Sequence, residues 1–243
     1  MQSLPSNFLR HLLEMGYPED FILSPGALQK KKPTYEEKRS ALAGLYYKAA
    51  VCHGCALSGC RKRVVFGSGN AGARLMVVGG CPSAEDDVSG LPFTGSDGQL
   101  LTKMLSAIDH DRGKDVFLTS VVKCKTPRGR EPTSEELTSC LPLLKKQIQV
   151  IIPKAILFLG RTAAALFGEG CSIGGLRTQT LLYEGVRAFA SYHPGDLLKD
   201  VSLKARAWGD LQKVQQFLKY KRGKSPCVLL SKNPNALFVP MPF

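Results

Sequence analysis

One continuous stretch, residues 74–101, constrains the fold more than any other part of the chain. Its first five residues, 74–78, form an apolar run that predicts a buried strand. Residues 79–83, Gly-Gly-Cys-Pro-Ser, end that strand, because glycine permits unusual dihedral angles and proline lacks an amide donor. A helix with an apolar face is predicted from residue 98 onwards. We therefore expect a strand, a tight turn with outward-pointing amides, and a helix, with any chemistry located in the turn.

Three more apolar segments alternate with helical ones along the chain. They are residues 116–122, 155–159 and 186–192. Alternation of strands and helices indicates a parallel sheet that is covered on both faces. The predicted fold class is therefore α/β, a three-layer α/β/α arrangement around a central, mostly parallel four-stranded sheet. Ligands bind such sheets at the carboxyl ends of the strands, and Gly80, Ser120 and His193 all lie at or near such ends.

The remaining segments divide the chain into three parts. Residues 1–34 are predicted to form a helical appendage, with a helix around Phe8–Leu13 and a basic linker at its end. Residues 35–222 form the main domain, which opens with a helix over 35–51. Residues 223–243 form a C-terminal tail that we expect to pack on the domain; binding a partner is the alternative.

The charge and cysteine content narrow the class of function. Lysine and arginine total 33 against 20 acidic residues, a net charge of +13, which is typical of a protein that binds the phosphate backbone of nucleic acid. A merely basic, solvated surface is the alternative. The chain has no apolar run of membrane-spanning length and no signal-peptide pattern, so we expect a cytoplasmic protein that is nucleoid-associated when on DNA. Eight cysteines in such a protein favour metal or reactive thiols over disulfides.

Two cysteine pairs have the character of metal ligands. Cys52 and Cys55 have the spacing of a two-ligand motif, and Cys124 and Cys140 form a second pair with fifteen residues between them. Four soft ligands suit either zinc or an iron–sulfur cluster, and spacing alone does not choose between them. Two buried free thiols are the alternative for the second pair. Cys60 is close enough to Cys55 to be a substitute ligand.

The turn and its surroundings resemble the uracil-DNA glycosylase superfamily, specifically the family 4 enzymes that carry an iron–sulfur cluster. Their pattern is Gly-Glu-Ala-Pro-Gly, an acidic pair, and then Gly-x-Pro-Phe-x-Gly-x-x-Gly-x-Leu-Leu, and the spacing of residues 79–101 matches it without a gap. Three further blocks have the family order: residues 64–67, residues 119–124, and His193-Pro194. The resemblance covers roughly residues 51–218.

The resemblance implies a cofactor and a partner. In family 4 a [4Fe–4S] cluster is held at the positions of Cys52, Cys55, Cys124 and Cys140, which implies a structural cluster here. DNA, single- or double-stranded and carrying a damaged base, is the implied partner of a monomeric protein. The residues that the resemblance places against DNA are Lys123, Lys125, Arg128, Arg130, Pro194 and Gly195.

The resemblance also implies roles in the active site. Phe93 matches the aromatic residue that stacks on the flipped base, although an isolated phenylalanine is more often a core residue. His193 matches the histidine that faces the departing base, where it would stabilise negative charge, with a helix cap or core histidine as the alternative. Asp86 falls where the family has a glutamate and is expected to orient water. Ser120, Gly80 and Cys81 are expected to bind the base.

Three departures from the family pattern fall on this site. Gly80 replaces the motif glutamate, Ser120 replaces an asparagine that reads the base, and Gly129 replaces a second asparagine. A serine hydroxyl is shorter than an amide and offers no paired donor and acceptor, so discrimination between bases is expected to be loose.

The sequence leaves three hypotheses. The first is a DNA glycosylase of base-excision repair that removes uracil or another deaminated base by hydrolysis of the N-glycosidic bond. The second is a non-catalytic iron–sulfur paralogue that binds DNA. The third, a zinc-dependent DNA-binding module unrelated to glycosylases, requires four blocks in family order to be coincidence.

Overall fold

The computed structural model describes residues 32–168 and 170–219. Predictions for the first 31 residues, including the helix around Phe8–Leu13, and for the tail lie outside these ranges. The assigned boundaries at residues 34 and 222 therefore stay predictions.

Helices and strands alternate through the described residues. In chain order they are α1 (Tyr35–Ala50), β1 (Ser68–Gly69), β2 (Leu75–Gly79), α2 (Ala84–Ser89), α3 (Ser96–Ser106), β3 (Val116–Ser120), α4 (Ser134–Ile151), β4 (Ala155–Leu159), α5 (Arg161–Ala164), α6 (Ile173–Leu176), β5 (Leu181–Tyr183), β6 (Val186–Ser191), α7 (Pro194–Lys199) and α8 (Leu203–Lys219). Short 3-10 turns lie at Ala56–Gly59, Pro127–Gly129 and Ala165–Phe167.

The strands form one sheet in the order β1-β3-β2-β4-β6-β5. The four inner strands, β3, β2, β4 and β6, are parallel to one another, as the sequence predicted. The sheet is larger than four strands, because β1 and β5 add short antiparallel edges. These edges have two and three residues, too few to show a hydrophobic period in the sequence.

Each face of the sheet is covered by helices, so the three-layer prediction is confirmed. Along β2, Met76 and Val78 belong to the core beneath α1 and α4, whereas Leu75 and Val77 belong to the core beneath α3 and α8. This alternation is the consequence of side chains pointing to opposite faces of a strand. All five residues of β2, β3 and β4 are buried, which is typical of parallel strands covered on both sides.

Side-chain caps fix where two helices begin. Ser83 and Asp86 form a reciprocal capping box at α2, and Thr133 and Glu136 form another at α4. The first box turns the chain immediately after β2 and so determines the path of the loop that carries the candidate site. Within residues 32–168 and 170–219, no helix is long and apolar enough to cross a membrane.

Candidate active site

The candidate site lies at the carboxyl edge of the parallel strands. Gly79 and Ser120 are paired at the ends of β2 and β3. Beyond these ends, the amides of Val121 and Val122 donate to the carbonyls of Gly79 and Gly80 at 2.9 and 3.1 Å, so the two loops continue side by side. His193 follows the end of β6 by two residues. The structure therefore brings the three strand-end segments named from the sequence to the same edge.

His193 is held by a hydrogen bond that fixes which ring nitrogen carries the proton. It is the N-cap of α7, and the Gly195 amide donates to its Nδ1 at 3.1 Å. Because Nδ1 accepts a hydrogen bond, the neutral ring carries its proton on Nε2. The helix cap suggested as the alternative to catalysis is present, and it leaves Nε2–H free to donate. Capping and catalysis are thus compatible roles for this side chain.

The pKa of His193 is lowered from its ordinary value of 6.5. Burial is the largest cause, and it outweighs the opposing effect of the carboxylates of Asp97, Asp196 and Asp86. The positive charge of Lys199 lowers the pKa further. The imidazole is therefore neutral at pH 7. In this state its Nε2–H group can donate a hydrogen bond, but the ring carries no positive charge.

Phe93 faces His193 across the site. The two rings stack with their centroids 5.8 Å apart and an angle of 27° between their planes. The phenylalanine side chain is only 4% exposed, so a base that stacks on it has to displace part of what covers it. The ring belongs to the hydrophobic core, as the alternative interpretation expected, and it also contacts His193, while its stacking on a base stays a prediction.

Asp86 does not have the environment predicted for a residue that orients water. Its Oδ1 accepts from the amide and the hydroxyl of Thr94 at 2.8 and 2.7 Å, and its Oδ2 accepts from the Ser83 amide at 3.1 Å. The residue is 4% exposed. The Asp86 carboxylate thus caps α2 and ties down the segment that contains Phe93, so the predicted contact with water has to be given up.

The space vacated by the motif glutamate is filled by another part of the chain. A Cβ on Gly80 would lie 2.6 Å from the Cβ of Thr162, so no other residue fits at position 80 unless Thr162 moves. The Thr162 hydroxyl donates to the carboxylate of Glu131. The half-buried Cys81 has a pKa raised to about 12, mainly by burial and then by the charge of Glu131. Cys81 therefore stays a neutral thiol at the wall of the site.

Ser120 and Lys123 have very different surroundings. The hydroxyl of Ser120 makes no hydrogen bond to any residue that the structure describes, which leaves it available to a base. Lys123 is 1% exposed, and its Nζ donates to the hydroxyl of Thr119 at 2.6 Å, to the side-chain oxygen of Gln147 at 2.8 Å and to the carbonyl of Ser120. A side chain in this position cannot reach phosphate, so the prediction that Lys123 binds DNA is wrong.

The remaining residues predicted to bind DNA differ in accessibility. Arg128 is exposed and has no partner among the described residues. Arg130 is also exposed, but it donates to both carboxylate oxygens of the buried Glu136 at 2.8 and 2.6 Å. Lys125 is half-buried. Pro194 is buried, so its side chain is not free to contact DNA. The Gly195 amide donates to His193 Nδ1 and is not available to a phosphate. Arg128 is thus the least constrained cation of this set.

The four predicted cysteine ligands are close enough to influence one another. Burial is the main cause of the raised pKa of Cys140, and the nearby Cys55 and Cys52 raise it further. The pKa of Cys124 is also raised mainly by burial, and Cys140 and Cys55 add to that effect. Within residues 32–168 and 170–219, no three potential ligands meet closely enough to define a metal site by geometry. The seven described cysteines are all free thiols, which leaves these four available for ligation.

N–H groups point at three of these four sulfurs. Arg61 donates to Cys124 Sγ at 3.2 Å, the Gly54 amide to Cys52 Sγ at 3.4 Å, and the Lys123 amide to Cys140 Sγ at 3.3 Å. Such donors stabilise thiolate sulfur and are a means by which proteins tune iron–sulfur clusters. The donor set therefore fits a group that binds thiolates. Cys60 is exposed and stays an alternative ligand.

Three residues of the site had no role in the sequence interpretation. Arg61 bridges the cysteine segments by donating to Cys124 Sγ and to the carbonyls of Ala50 and Cys52. Thr162 occupies the space next to Gly80, and Arg112 donates to the backbone carbonyls of Pro92 and Phe93. The sequence gives no signal for these contacts, because each depends on tertiary structure.

Comparison with known proteins places the chain in context. Residues 66–212 match the model of the uracil DNA glycosylase superfamily. The chain is 38% identical to the Type-4 uracil-DNA glycosylase of Pyrobaculum aerophilum over 172 residues, 66% of this chain and 86% of that protein. It is 38% identical to the Type-4 uracil-DNA glycosylase of Thermotoga maritima over 175 residues, 69% of this chain and 90% of that protein. A third, from Saccharolobus solfataricus, is 34% identical over 179 residues, with 70% and 83% covered.

Proposed function

The chain belongs to the uracil DNA glycosylase superfamily, and from that premise we propose that it hydrolyses the N-glycosidic bond of uracil in DNA as a step of base-excision repair. The observation that carries the proposal is the state of His193. A neutral imidazole with its proton on Nε2 stands opposite Phe93, at the edge of the sheet where ligands bind.

His193 stabilises the departing base. As the glycosidic bond breaks, negative charge develops on the oxygen atoms of uracil. A fixed N–H donor in a buried site stabilises such charge without reorganisation. The Gly195 amide keeps Nε2–H in place throughout, because its hydrogen bond to Nδ1 holds the ring in one orientation and one tautomer.

The sugar becomes positively charged as the base departs, and carboxylates around His193 favour that charge. Asp86 is committed to Thr94 and Ser83, so we assign the water to Asp97 in the first turn of α3. Asp97 is half-buried; its Oδ1 accepts from the Gly98 amide at 2.7 Å, and its Oδ2 makes no hydrogen bond to a described residue. The free oxygen is an acceptor suited to a water molecule that attacks an oxocarbenium-like sugar.

The base is read by a short hydroxyl and by shape. Ser120 supplies one rotatable O–H group where the family has an amide, and the backbone of Gly80 and Cys81 lines the same edge. Phe93 contributes an aromatic face. We infer uracil as the substrate from the family to which the chain belongs. We expect other deaminated bases of similar shape to be excised as well.

Cys52, Cys55, Cys124 and Cys140 would hold a [4Fe–4S] cluster. When bound, the cluster cross-links segments that are far apart in sequence and has no part in breaking the glycosidic bond. Cys52 and Cys55 follow the end of α1, Cys124 lies in the loop after β3 and Cys140 lies in α4, so a bound cluster would link these three segments. That loop continues into the exposed Arg128, which we assign to the DNA backbone as part of a monomeric, cytoplasmic protein.

The experiment is an excision assay with purified protein. Oligonucleotides that carry uracil, hypoxanthine or xanthine are offered in single- and double-stranded form, and abasic sites are revealed by alkali. We expect uracil to be removed, more slowly than by a relative with the complete motif. DNA binding without cleavage of any of these bases would support the non-catalytic paralogue instead.

A further inference from the structure

Phe93 has a backbone conformation that has to be imposed by its neighbours. Its φ angle is +56°, in the left-handed region that phenylalanine rarely adopts. The start of α3 packs directly on it, because a Cβ on Gly98 would lie 1.8 Å from the Phe93 carbonyl oxygen. Strained conformations of this kind persist only when surrounding contacts determine them, and they are concentrated at functional sites.

Arg112, from the loop between α3 and β3, supplies contacts on one side of this segment. Its Nη2 donates to the Pro92 carbonyl at 3.0 Å, and its Nη1 donates to the Phe93 carbonyl at 3.1 Å. Nη1 also donates to the Thr102 hydroxyl on α3 at 3.1 Å. The rigid fork of a guanidinium thus spans two consecutive carbonyls and a helix at once, which a lysine ammonium on a flexible stem does not reproduce.

The next residue of the segment is held by Asp86, which accepts from the amide and hydroxyl of Thr94. Pro92, Phe93 and Thr94 are therefore each hydrogen-bonded to one of two charged groups, the half-buried Arg112 and the buried Asp86. Arg112 contacts no carboxylate directly in the described residues. Its charge is nevertheless favoured by the nearby Asp86 and Asp97, which oppose the effect of burial on its pKa.

We propose that Arg112 is a positioning residue for base excision: it holds the backbone of Phe93 so that the ring meets the flipped base in a single orientation. This inference rests on the proposed function. With the backbone fixed at Pro92, Phe93 and Thr94, only the side chain of Phe93 adjusts when a base enters. Precise placement matters, because a misplacement of about 1 Å can cost about a hundredfold in rate.

The test combines base flipping with a double-mutant cycle. Arg112→Met removes the donors at similar side-chain length, and Arg112→Lys keeps the charge, so that one variant remains informative should the other fail to fold. Arg187→Met is the matched control, because it removes another half-buried guanidinium, one that packs over the ring of Phe189 within β6, 5.0 Å from the ring centroid. Thermal unfolding is recorded for every variant.

Flipping is measured with 2-aminopurine next to 2′-fluoro-2′-deoxyuridine, whose glycosidic bond resists cleavage. Excision is measured under single-turnover conditions on uracil, in the parent and in a Phe93→Ala background. We expect both Arg112 variants to reduce the fluorescence gain and to slow excision about tenfold or more, with DNA affinity unchanged. In the Phe93→Ala background the same substitutions should change the rate less than about twofold, since Arg112 acts through Phe93.

The outcomes separate this proposal from the proposed function. Full flipping and excision by both Arg112 variants would overturn the positioning role alone. An equal loss in the Phe93→Ala background, or a loss as large for Arg187→Met, would show a general structural effect and would also overturn it. A parent protein that neither flips nor excises uracil would overturn the proposed function, and the positioning role with it.

Discussion

Replacing His193 is the perturbation whose effect follows most directly from the structure. His193→Ala removes Nε2–H, the donor to the departing base, and also the Nδ1 acceptor for the Gly195 amide. Loss of one preorganised donor to a developing anion costs about 10²–10³ in rate, which is about 2.7–4 kcal/mol. Loss of a helix N-cap costs about 1 kcal/mol of stability. The alanine variant therefore mixes a catalytic effect with a structural one.

His193→Ser separates the two effects. A serine hydroxyl still accepts from an amide at the N-cap position, but it places no donor where Nε2–H lies. We expect the serine variant to unfold close to the temperature of the parent and to excise uracil at least about a hundredfold more slowly under single-turnover conditions. A serine variant that excises uracil within about threefold of the parent rate, a difference too small for a lost donor, would refute the role of the imidazole.

The pH dependence of the parent gives a second check on the same side chain. Because the pKa of His193 is lowered in the folded protein, the unfolded state binds the proton more readily, and stability is lost as pH falls below the ordinary value of 6.5. Protonation also places a hydrogen on Nδ1, which can then no longer accept from Gly195. As the pH is lowered from 7, we expect the excision rate to remain constant past pH 6.5 and to fall only at still lower pH.

The other predictions concern the cysteines, the DNA contact and the base. Anaerobically purified protein is expected to contain iron and acid-labile sulfide, and Cys124→Ala should lower the unfolding temperature; one zinc per chain without sulfide would exclude the cluster. Arg128→Ala should reduce the salt dependence of DNA binding by about one unit of log-log slope, whereas the buried Lys123→Met should leave the slope unchanged. Ser120→Asn should raise uracil excision relative to hypoxanthine, measured as a ratio of single-turnover rates. Gly80→Glu, in contrast, should lower stability, because its Cβ position is already occupied.

The strands and the position of the site were predictable because their physical causes are local. The apolar runs of β2 and β4 are visible in the sequence, and the carboxyl ends of parallel strands necessarily lie on one edge. The role of Asp86 was predictable in principle as well. Ser83-x-x-Asp86 has the pattern of a capping box, and that pattern favours a helix cap over a contact with water.

Other features depend on tertiary contacts that no local pattern contains. Lys123 follows a strand within a basic segment and so looks exposed, yet Thr119 and Gln147 draw it into the interior. Arg112 lies in a polar loop, and its partners are backbone carbonyls nineteen and twenty residues away. Backbone carbonyls are the same for every residue type, so the sequence contains no record of such pairing.

The measurement that tests the account most directly is the fate of both products in ¹⁸O-labelled water. Parent protein is incubated with a uracil-containing oligonucleotide, and the masses of the released base and of the remaining strand are measured by mass spectrometry. The account predicts free uracil and an abasic strand that carries one ¹⁸O atom at its sugar, with both products formed at least about a hundredfold more slowly by His193→Ser. Intact uracil-containing DNA recovered from a stable protein–DNA complex would contradict it.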